Sequence, residues 1–303
     1  MKIAILSNEP ENYSTNRLQQ VAMERGHEVD VIPSRECYAS IEKSQPLVLY
    51  NGEPLVGYDA IIPRIGSSMT RYGSAIVRQF EMQGVYTLTS SLAIVRSRDK
   101  LRSMQLLARA GVGIPKTVVS RGTADVEGLI DQLGGTPIII KLARGTHGNG
   151  VVLADTKKAA KSVLQAFYVM DQDGTNILLQ EFVKESAGED IRALVVGGKV
   201  VASMKRQSLD DEFRSNLHQG GTGEAIKLSE EERKTAIKAA RTMGLNMCGV
   251  DMMRSSRGPL VLEVNSSPGF NIEKVTGRDV TTPIIEYIEQ NARRRNRKDK
   301  IGA

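Results

Sequence analysis

Two cysteines, three histidines and no tryptophan in 303 residues exclude several kinds of protein at once. Cys37 and Cys248 lie far apart without CxxC spacing, so neither a disulfide framework nor a thiolate zinc site is expected. Both read as packing residues. His27, His147 and His218 are scattered and give no metal-ligand spacing. No run of about 18 apolar residues is present to cross a bilayer, and residues 2–6 (KIAIL) are too short for a signal-peptide core. The cytoplasm is therefore the expected compartment. Aromatics make up only 4% and form no RNP-like pattern, which argues against a sheet that stacks RNA bases.

What remains is an ordinary soluble composition, 40% hydrophobic and 25% charged. A chain of this length exceeds the usual single domain, so two or three packed lobes with a cleft between them are expected. Much of the +6 net charge sits in RRRNRK at 293–298, a solvated end that remains open to contact with RNA or an acidic partner.

The pattern along the chain divides into stretches of different character. Residues 2–6, a helix over 13–25 ending at Gly26, and residues 28–32 read as a βαβ opening. Strand-like 59–64, helical 72–83 and strand-like 85–88 extend it, so residues 1–95 predict a small doubly wound α/β domain. Its first βα turn, SNEPE, lacks GxGxxG, which argues against a dinucleotide site. A helix over 98–110 follows, stopped by Gly111 and Pro115. Short strands at 117–120, 137–143, 150–154 and 177–182 around helices near 123–133 and 156–169 predict mixed α+β structure. Strands 191–196 and 199–204 form a hairpin through Gly197-Gly198, a helix covers 229–243, and 248–254 with 259–265 form a last hairpin.

The glycine-rich stretch at 145–150 (GTHGNG) lies between two strands, whereas P-loop and Rossmann signatures need a strand, a loop and then a helix. It reads either as a lid that closes over a polyphosphate, with Gly148 and Gly150 at the ligand, or as a plain hairpin turn. Lys141 ends the apolar run Ile138-Ile139-Ile140, where a charge is costly unless an anion answers it, and Lys100 supplies a second cation. Asp251 on one strand of the last hairpin, with Glu263 and Asn265 on the other, are set among Val, Leu and Met. Such carboxylates are either ligands of a hard cation such as magnesium or members of structural ion pairs, with Arg254 or Arg192 as partner. Arg192, Arg206, Arg214 and Asn216 fall between these elements and provide donors for an acidic substrate or an acyl phosphate. No Ser-His-Asp or Cys-His arrangement is placed by local motif.

Taken in order, Lys100, Lys141, the glycine stretch, Gln180-Glu181-Phe182-Val183, Asp251 and Glu263-Val264-Asn265 resemble the ATP-grasp fold over residues 95–290. RDKLRSMQLLARAG at 98–111, DEFRSNLHQGG at 211–221, IKAARTMGL at 237–245 and GVDMMRSSRGPLVLEVNSSPG at 249–269 are similar to the RimK family, which adds glutamate to a ribosomal protein. PRIG at 63–66 and RQFEMQG at 78–84 extend the likeness and bring in Arg64 as a substrate-binding residue.

The resemblance implies an ATP-grasp fold preceded by a small doubly wound α/β domain at 1–95, with a central subdomain at 96–182 and a C-terminal subdomain at 183–303. It implies ATP and magnesium, or manganese, as cofactors, and glutamate and a protein C-terminal carboxylate as substrates, in a homo-oligomer. Lys100 and Lys141 would bind phosphates, Glu181 and Phe182 the adenine, and Asp190 the ribose. Arg214, Ser215 and Asn216 would line the reacting phosphate, Asp251, Glu263 and Asn265 would hold the metal, and Arg192 and Arg206 the substrate. Ser266 stands where the family pattern has alanine. Two other readings are a ligase acting on a small carboxylate metabolite or peptide, and a non-catalytic ribosome- or RNA-binding protein. The embedded carboxylates disfavour the latter.

Overall fold

The chain opens on KIAILS, in which every residue after the lysine is buried. A computed structural model describes residues 1–122, 125–142, 150–170, 176–186, 188–208 and 222–292. This first run is β1 (Lys2–Ser7), followed by α1 (Tyr13–Glu24), β2 (Glu28–Ile32), β3 (Tyr38–Glu42), β4 (Gln45–Tyr50), β5 (Glu53–Pro54), β6 (Ala60–Arg64), α2 (Thr70–Met82) and β7 (Tyr86–Thr87). A strand buried on both faces belongs inside a parallel sheet. β1 accordingly lies between β2 and β6, parallel to both, in the order β2-β1-β6-β7. The direction of winding therefore reverses between β1 and β6.

β3, β4 and β5 form a separate antiparallel sheet that the sequence reading did not identify. The signal was present: Asn51-Gly52 joins β4 to β5, with Asn51 at φ 52° and Gly52 at φ 83°, the left-handed pair that a tight hairpin requires. The helix expected over 98–110 is α4 (Lys100–Arg109), and a further helix that the sequence reading did not identify, α3 (Ser91–Arg98), precedes it. Asp99 breaks them with extended backbone, and its carboxylate accepts from the Arg102 amide at 2.9 Å as the cap of α4. Lys100 thus occupies the first turn of a helix.

The next elements are β8 (Thr117–Ser120), α5 (Val126–Gln132), β9 (Ile138–Leu142), β10 (Val151–Ala154), α6 (Lys157–Met170) and β11 (Ile177–Glu181). The strands make an antiparallel sheet ordered β10-β9-β11-β8. Ile130, Ile138, Ile140, Leu164 and Leu179 form the core between this sheet and its two helices.

The remaining elements are β12 (Glu189–Val196), β13 (Lys199–Gln207), β14 (Thr222–Ala225), α7 (Glu230–Met243), β15 (Met247–Met253), β16 (Leu260–Asn265), α8 (Asn271–Thr276) and α9 (Thr281–Ala292). The sheet order is β14-β13-β12-β15-β16. Gly197 and Gly198 turn β12 into β13 at φ 57° and 77°, and a Cβ on Gly197 would come within 2.5 Å of the Tyr287 ring. Ser229 and Glu232 close a reciprocal cap on α7. Alternation sends Ile191, Ala193, Val195, Cys248 and Val250 toward α7. Leu194, Val196, Met204 and Met247 face the other way and pack with Phe270, Ile284 and Ile288.

That second face shares one core with Ile3, Ile5, Leu18 and Ile62 of the first sheet and α1. Each buried Ile or Leu is worth about 1.5–3 kcal/mol, against about 0–1 kcal/mol for a surface ion pair. Apolar packing therefore sets how the N-terminal sheet sits on the C-terminal one. Among the described residues no helix is long and apolar enough to cross a membrane.

A polar clasp secures the rim of this junction. Arg25, just past α1, donates to Glu289 on α9 at 2.9 and 2.7 Å, and His27 lies 2.8 Å from the same carboxylate. The Arg25 hydrogen bonds and the His27 contact hold Glu289 down at about 2, against its ordinary 4.5. A depressed carboxyl stabilises the fold above its ordinary value and loses that contribution as pH falls toward the folded one. Glu289→Gln should lower the melting temperature at pH 7 by about 1–3 °C. The deficit relative to wild type should shrink between pH 5 and about 2, as read by parallel thermal melts.

Candidate active site

Side chains at 190 and 192 of β12 lie on the same face as Leu194 and Val196. There the apolar surface gives way to charge. Arg192 pairs in register with Asp251 on β15, and Asp190 with Arg206 on β13. Arg192 donates to both Asp251 oxygens, Nε at 2.7 Å and Nη2 at 2.6 Å. Arg206 forks onto Asp190, with Nε at 2.6 Å from Oδ1, and its Nη2 also reaches Asp251 at 3.1 Å. Asp190, Arg206 and Asp251 are all buried. Burial alone would raise the Asp251 carboxyl, but the charges of Arg192 and Arg206 outweigh it and hold the group at about 2. The buried ladder is thus balanced at two negative and two positive charges.

The third carboxylate differs. Glu263 on β16 is opposite Asp251 in the register, beside a bulge between Asp251 and Met252, and its side chain is exposed. Asn265 bridges the two acids, its Nδ2 lying 3.0 Å from Glu263 Oε1 and 3.3 Å from Asp251 Oδ2. Turning that amide over would present Oδ1 at the same place. Among the described residues no cluster of three His, Cys, Asp or Glu side chains forms a metal site. The donor set is two carboxylates and an amide, all hard oxygens, with Glu263 at the open rim. It suits a divalent cation that takes its remaining ligands from phosphates.

Cations gather around Glu263 from other elements. Lys141 is on β9, and Lys100 in the first turn of α4 donates to the Leu142 carbonyl at 3.2 Å. Burial pushes the Lys141 amine down to about 8, Glu263 opposes this, and repulsion from Lys100 adds to it. Burial likewise lowers Lys100 and Arg98, with Glu263 opposing in both cases. Among the described residues Lys141 has no carboxylate within ion-pair distance, so a partly desolvated cation is held ready for an anion.

At the edge of the central sheet, Glu181 accepts from the Lys116 amide at 2.6 Å and pairs with Arg257, and Phe182 follows it half-buried. Gly150 lies just before β10 at φ 72°, its carbonyl accepting from Leu142 at 2.9 Å. Gly148 and the rest of 145–149, together with Arg214, Ser215, Asn216 and the basic run at 293–298, lie outside the described residues.

Of the two arginines offered as structural partners for the acids, Arg192 takes Asp251, while Arg254 pairs with Glu232 at 2.6 Å. The guanidinium forks of Arg192 and Arg206, expected at the substrate, are both committed to buried carboxylates. Arg64 lies apart from them, at the end of β6. Sequence reasoning missed Arg98: it is one of four cations alternating over 96–102, and only the fold brings it to the Ile65 carbonyl and under the influence of Glu263.

The two acids should respond unequally to neutralisation. Asp251→Asn strands Arg192 and leaves Arg206 with Asp190 alone, and should cost about 3–5 kcal/mol in unfolding experiments. Glu263→Gln should leave the stability of metal-free protein nearly unchanged, because attraction to the lysines and repulsion from Asp251 oppose each other at an exposed position. Melts of both variants in EDTA check this. A loss at Glu263 as large as that at Asp251 would make it a structural ion-pair residue.

Known proteins match this arrangement along the whole chain. Residues 1–94 match the family described as the RimK PreATP-grasp domain, and residues 97–288 the RimK-like ATP-grasp domain. A protein of Pseudoalteromonas atlantica named "Probable alpha-L-glutamate ligase 2" is 57% identical over 301 residues, 99% of each chain. One of Hydrogenovibrio crunogenus named "Probable alpha-L-glutamate ligase" has the same identity over the same share. The fold is also that of the ATP-grasp ligase PsnB complexed with its minimal precursor (TM-score 0.73, 21% identity, 95% of this chain and 98% of that one). The D-alanine–D-alanine ligase of Bacillus anthracis complexed with ATP shares it too (TM-score 0.69, 18% identity, 97% of each). With two family matches spanning nearly every residue and relatives 57% identical from end to end, the chain belongs to the RimK-like ATP-grasp family of ATP-dependent, amide-forming ligases.

Proposed function

We propose that the protein is an alpha-L-glutamate ligase that joins the amine of glutamate to the C-terminal carboxylate of a small-subunit ribosomal protein. The observation that carries the ligase chemistry is the gathering of two desolvated lysines, Lys100 and Lys141, within the influence of the rim carboxylate Glu263, which stands beside Asp251 and Asn265. A polyphosphate needs cations near its oxygens, and a divalent metal bound with it would need hard oxygen ligands such as Asp251, Glu263 and Asn265 offer. The names of the 57% identical relatives support glutamate as the amine.

Lys100 and Lys141 would hold the phosphates, Glu181 and Phe182 would meet the adenine, and Asp190, already bonded to Arg206, would serve the ribose. Arg214, Ser215 and Asn216 act at the transferring phosphate. Asp251, Glu263 and Asn265 would hold magnesium, and manganese would find the same oxygens acceptable. The metal, when bound, screens the repulsion between the acceptor carboxylate and ATP. An acceptor oxygen attacks the terminal phosphorus and ADP leaves. The neutral amine then attacks the acyl carbon, phosphate departs and an amide forms. The basic run at 293–298 would steer the enzyme to the ribosomal particle in the cytoplasm, and the working form would be a homo-oligomer.

Incubating the protein with ATP, magnesium, labelled glutamate and a cell lysate, then locating the label by mass, tests the acceptor. Label on the C-terminus of a small-subunit ribosomal protein is expected, and label confined to a small metabolite would overturn it.

Lys141→Ala should weaken ATP binding by ~1.5–3 kcal/mol, roughly 10- to 150-fold, with folding intact. Wild-type protein has a lysine at about 8 that an anion raises again. ATP binding should therefore take up a proton between about pH 8 and 10, and affinity should fall as pH rises through that window. Calorimetry in buffers of different ionisation enthalpy measures both. Normal ATP binding by the alanine variant would remove Lys141 from the phosphate site.

A further inference from the structure

Arg64 ends β6 directly opposite Ser7 at the end of β1, at the point where the winding of the first sheet reverses. In open α/β sheets the crevice outside the carboxyl ends of two such strands is where ligands settle. The Arg64 side chain is anchored there on two sides. Its Nη2 donates to Ser14 Oγ in the first turn of α1 at 3.0 Å, and its guanidinium lies 5.2 Å from the centre of the Phe270 ring. Arg98, at the end of α3, donates Nη2 to the Ile65 carbonyl at 2.8 Å, one residue beyond Arg64 in the chain.

These anchors leave donors over. Arg64 Nη1 and Arg98 Nε are both enclosed and have no acceptor among the described residues. Burial and repulsion from Arg98 push Arg64 down to about 10, with Glu9 opposing, and burial lowers Arg98 as well. Neither arginine has a carboxylate within ion-pair distance among the described residues, in contrast to Arg192 and Arg206, whose forks are filled. Two buried like charges with unanswered N–H groups are an unfavourable pairing unless an anion joins them.

The surroundings indicate which anion. Glu263 at the rim of the magnesium set opposes the burial shift of Arg98 as it does those of Lys100 and Lys141, so Arg98 faces the phosphate side of the site with Arg64 behind it. The segment from Asn265 to Phe270 runs from that set to the ring beneath Arg64. On it Ser266 Oγ is also buried without a partner, giving a third enclosed polar group on the same path. A guanidinium matches a carboxylate with two parallel hydrogen bonds. Glutamate joined through its amine keeps both of its carboxylates, and each must be accommodated close to an already anionic acyl phosphate.

We propose that Arg64 and Arg98, with Ser266, form a cradle for a non-reacting carboxylate of a glutamyl substrate. This rests on the glutamate-ligase reading for the identity of the substrate, and on the geometry alone for its carboxylate. The carboxylate comes either from the incoming glutamate or from a glutamate already on the acceptor, and both sources present the same group. The two arginines are positioning residues for the amine or acyl carbon and take no part in bond formation.

Arg98→Met and Arg98→Lys, each in the full-length protein, separate the possibilities. Calorimetric titration with glutarate, which carries the two carboxylates but no amine, should show binding to wild type that Arg98→Met weakens at least tenfold and Arg98→Lys partly restores. ATP binding should be unchanged in both. In steady-state ligation the KM for glutamate should rise at least tenfold at constant acceptor KM if the incoming glutamate is held, and the reverse if the acceptor is held. Removing one of two repelling charges should also leave the melting temperature unchanged or higher. Unchanged glutarate binding and unchanged KM values for both substrates in a folded Arg98→Met protein would overturn the cradle. So would failure of the lysine variant to exceed the methionine one. Wild-type protein that binds glutarate but transfers no glutamate would instead overturn the ligase's assigned substrate and leave the cradle standing.

Discussion

Asp251 is 2% exposed and still ionised, and that is tenable only because Arg192 and Arg206 converge on it. Removing a carboxylate from water costs several kcal/mol. The three central strands of the last sheet meet this cost with cross-strand neighbours in strict register: 190 with 206, and 192 with 251. Everything at the site is arranged around this closed ladder. It fixes the face of β15 from which Asp251 presents itself, and through Asn265 it fixes the position of Glu263 on the rim.

The ladder is closed, whereas its surroundings are not. Lys100, Lys141, Arg64 and Arg98 are all shifted downward by burial, and among the described residues the exposed carboxylate Glu263 opposes that shift in Lys100, Lys141 and Arg98. A structure selected for stability alone would place acids beside Lys141, Arg64 and Arg98 or move them into water. The imbalance is one that a polyanionic nucleotide and acidic substrates would correct on binding, with ligand binding supplying the stability that the free protein forgoes. The apolar core shared by the first sheet, α1, α9 and the last sheet makes this tenable, since it holds Arg64 and Phe270 in place from opposite sides of the junction.

Much of this was legible in the sequence where the physics is local. A lysine closing the run Ile138–Ile140, and acids set among Val, Leu and Met on adjacent strands, stand out because charge is costly in apolar surroundings. The hairpins through Gly197-Gly198 and between β15 and β16 followed from turn chemistry and alternation, as did the βαβ opening. The failures were of two kinds. Asn51-Gly52 and the Ser90 and Asp99 caps were local signals passed over, which hid the β3–β5 sheet and α3 and set the start of α4 two residues early. The choice between Arg192 and Arg254 as partner of Asp251 was not local. It depends on β12 pairing with β15 across more than fifty residues, and on Glu232, which caps α7 and is the carboxylate that Arg254 donates to.

Arg98 shows most clearly why register and topology carry information that spacing does not. Arg96, Arg98, Lys100 and Arg102 alternate along the chain, and as text they are equivalent. The Asp99 break changes the helix axis between the second and third of them. It leaves Arg98 at the end of α3, donating to Ile65, and places Lys100 at the start of α4, donating to Leu142. One short-range cap therefore sends two neighbouring cations to different parts of one cleft, Arg98 to the end of the first sheet and Lys100 to the central one. An uninterrupted helix would space residues 98 and 100 by about 200° around one axis and send them to opposite faces. Asp99 thus couples the two sites, since the cap that starts α4 also sets the direction in which α3 ends.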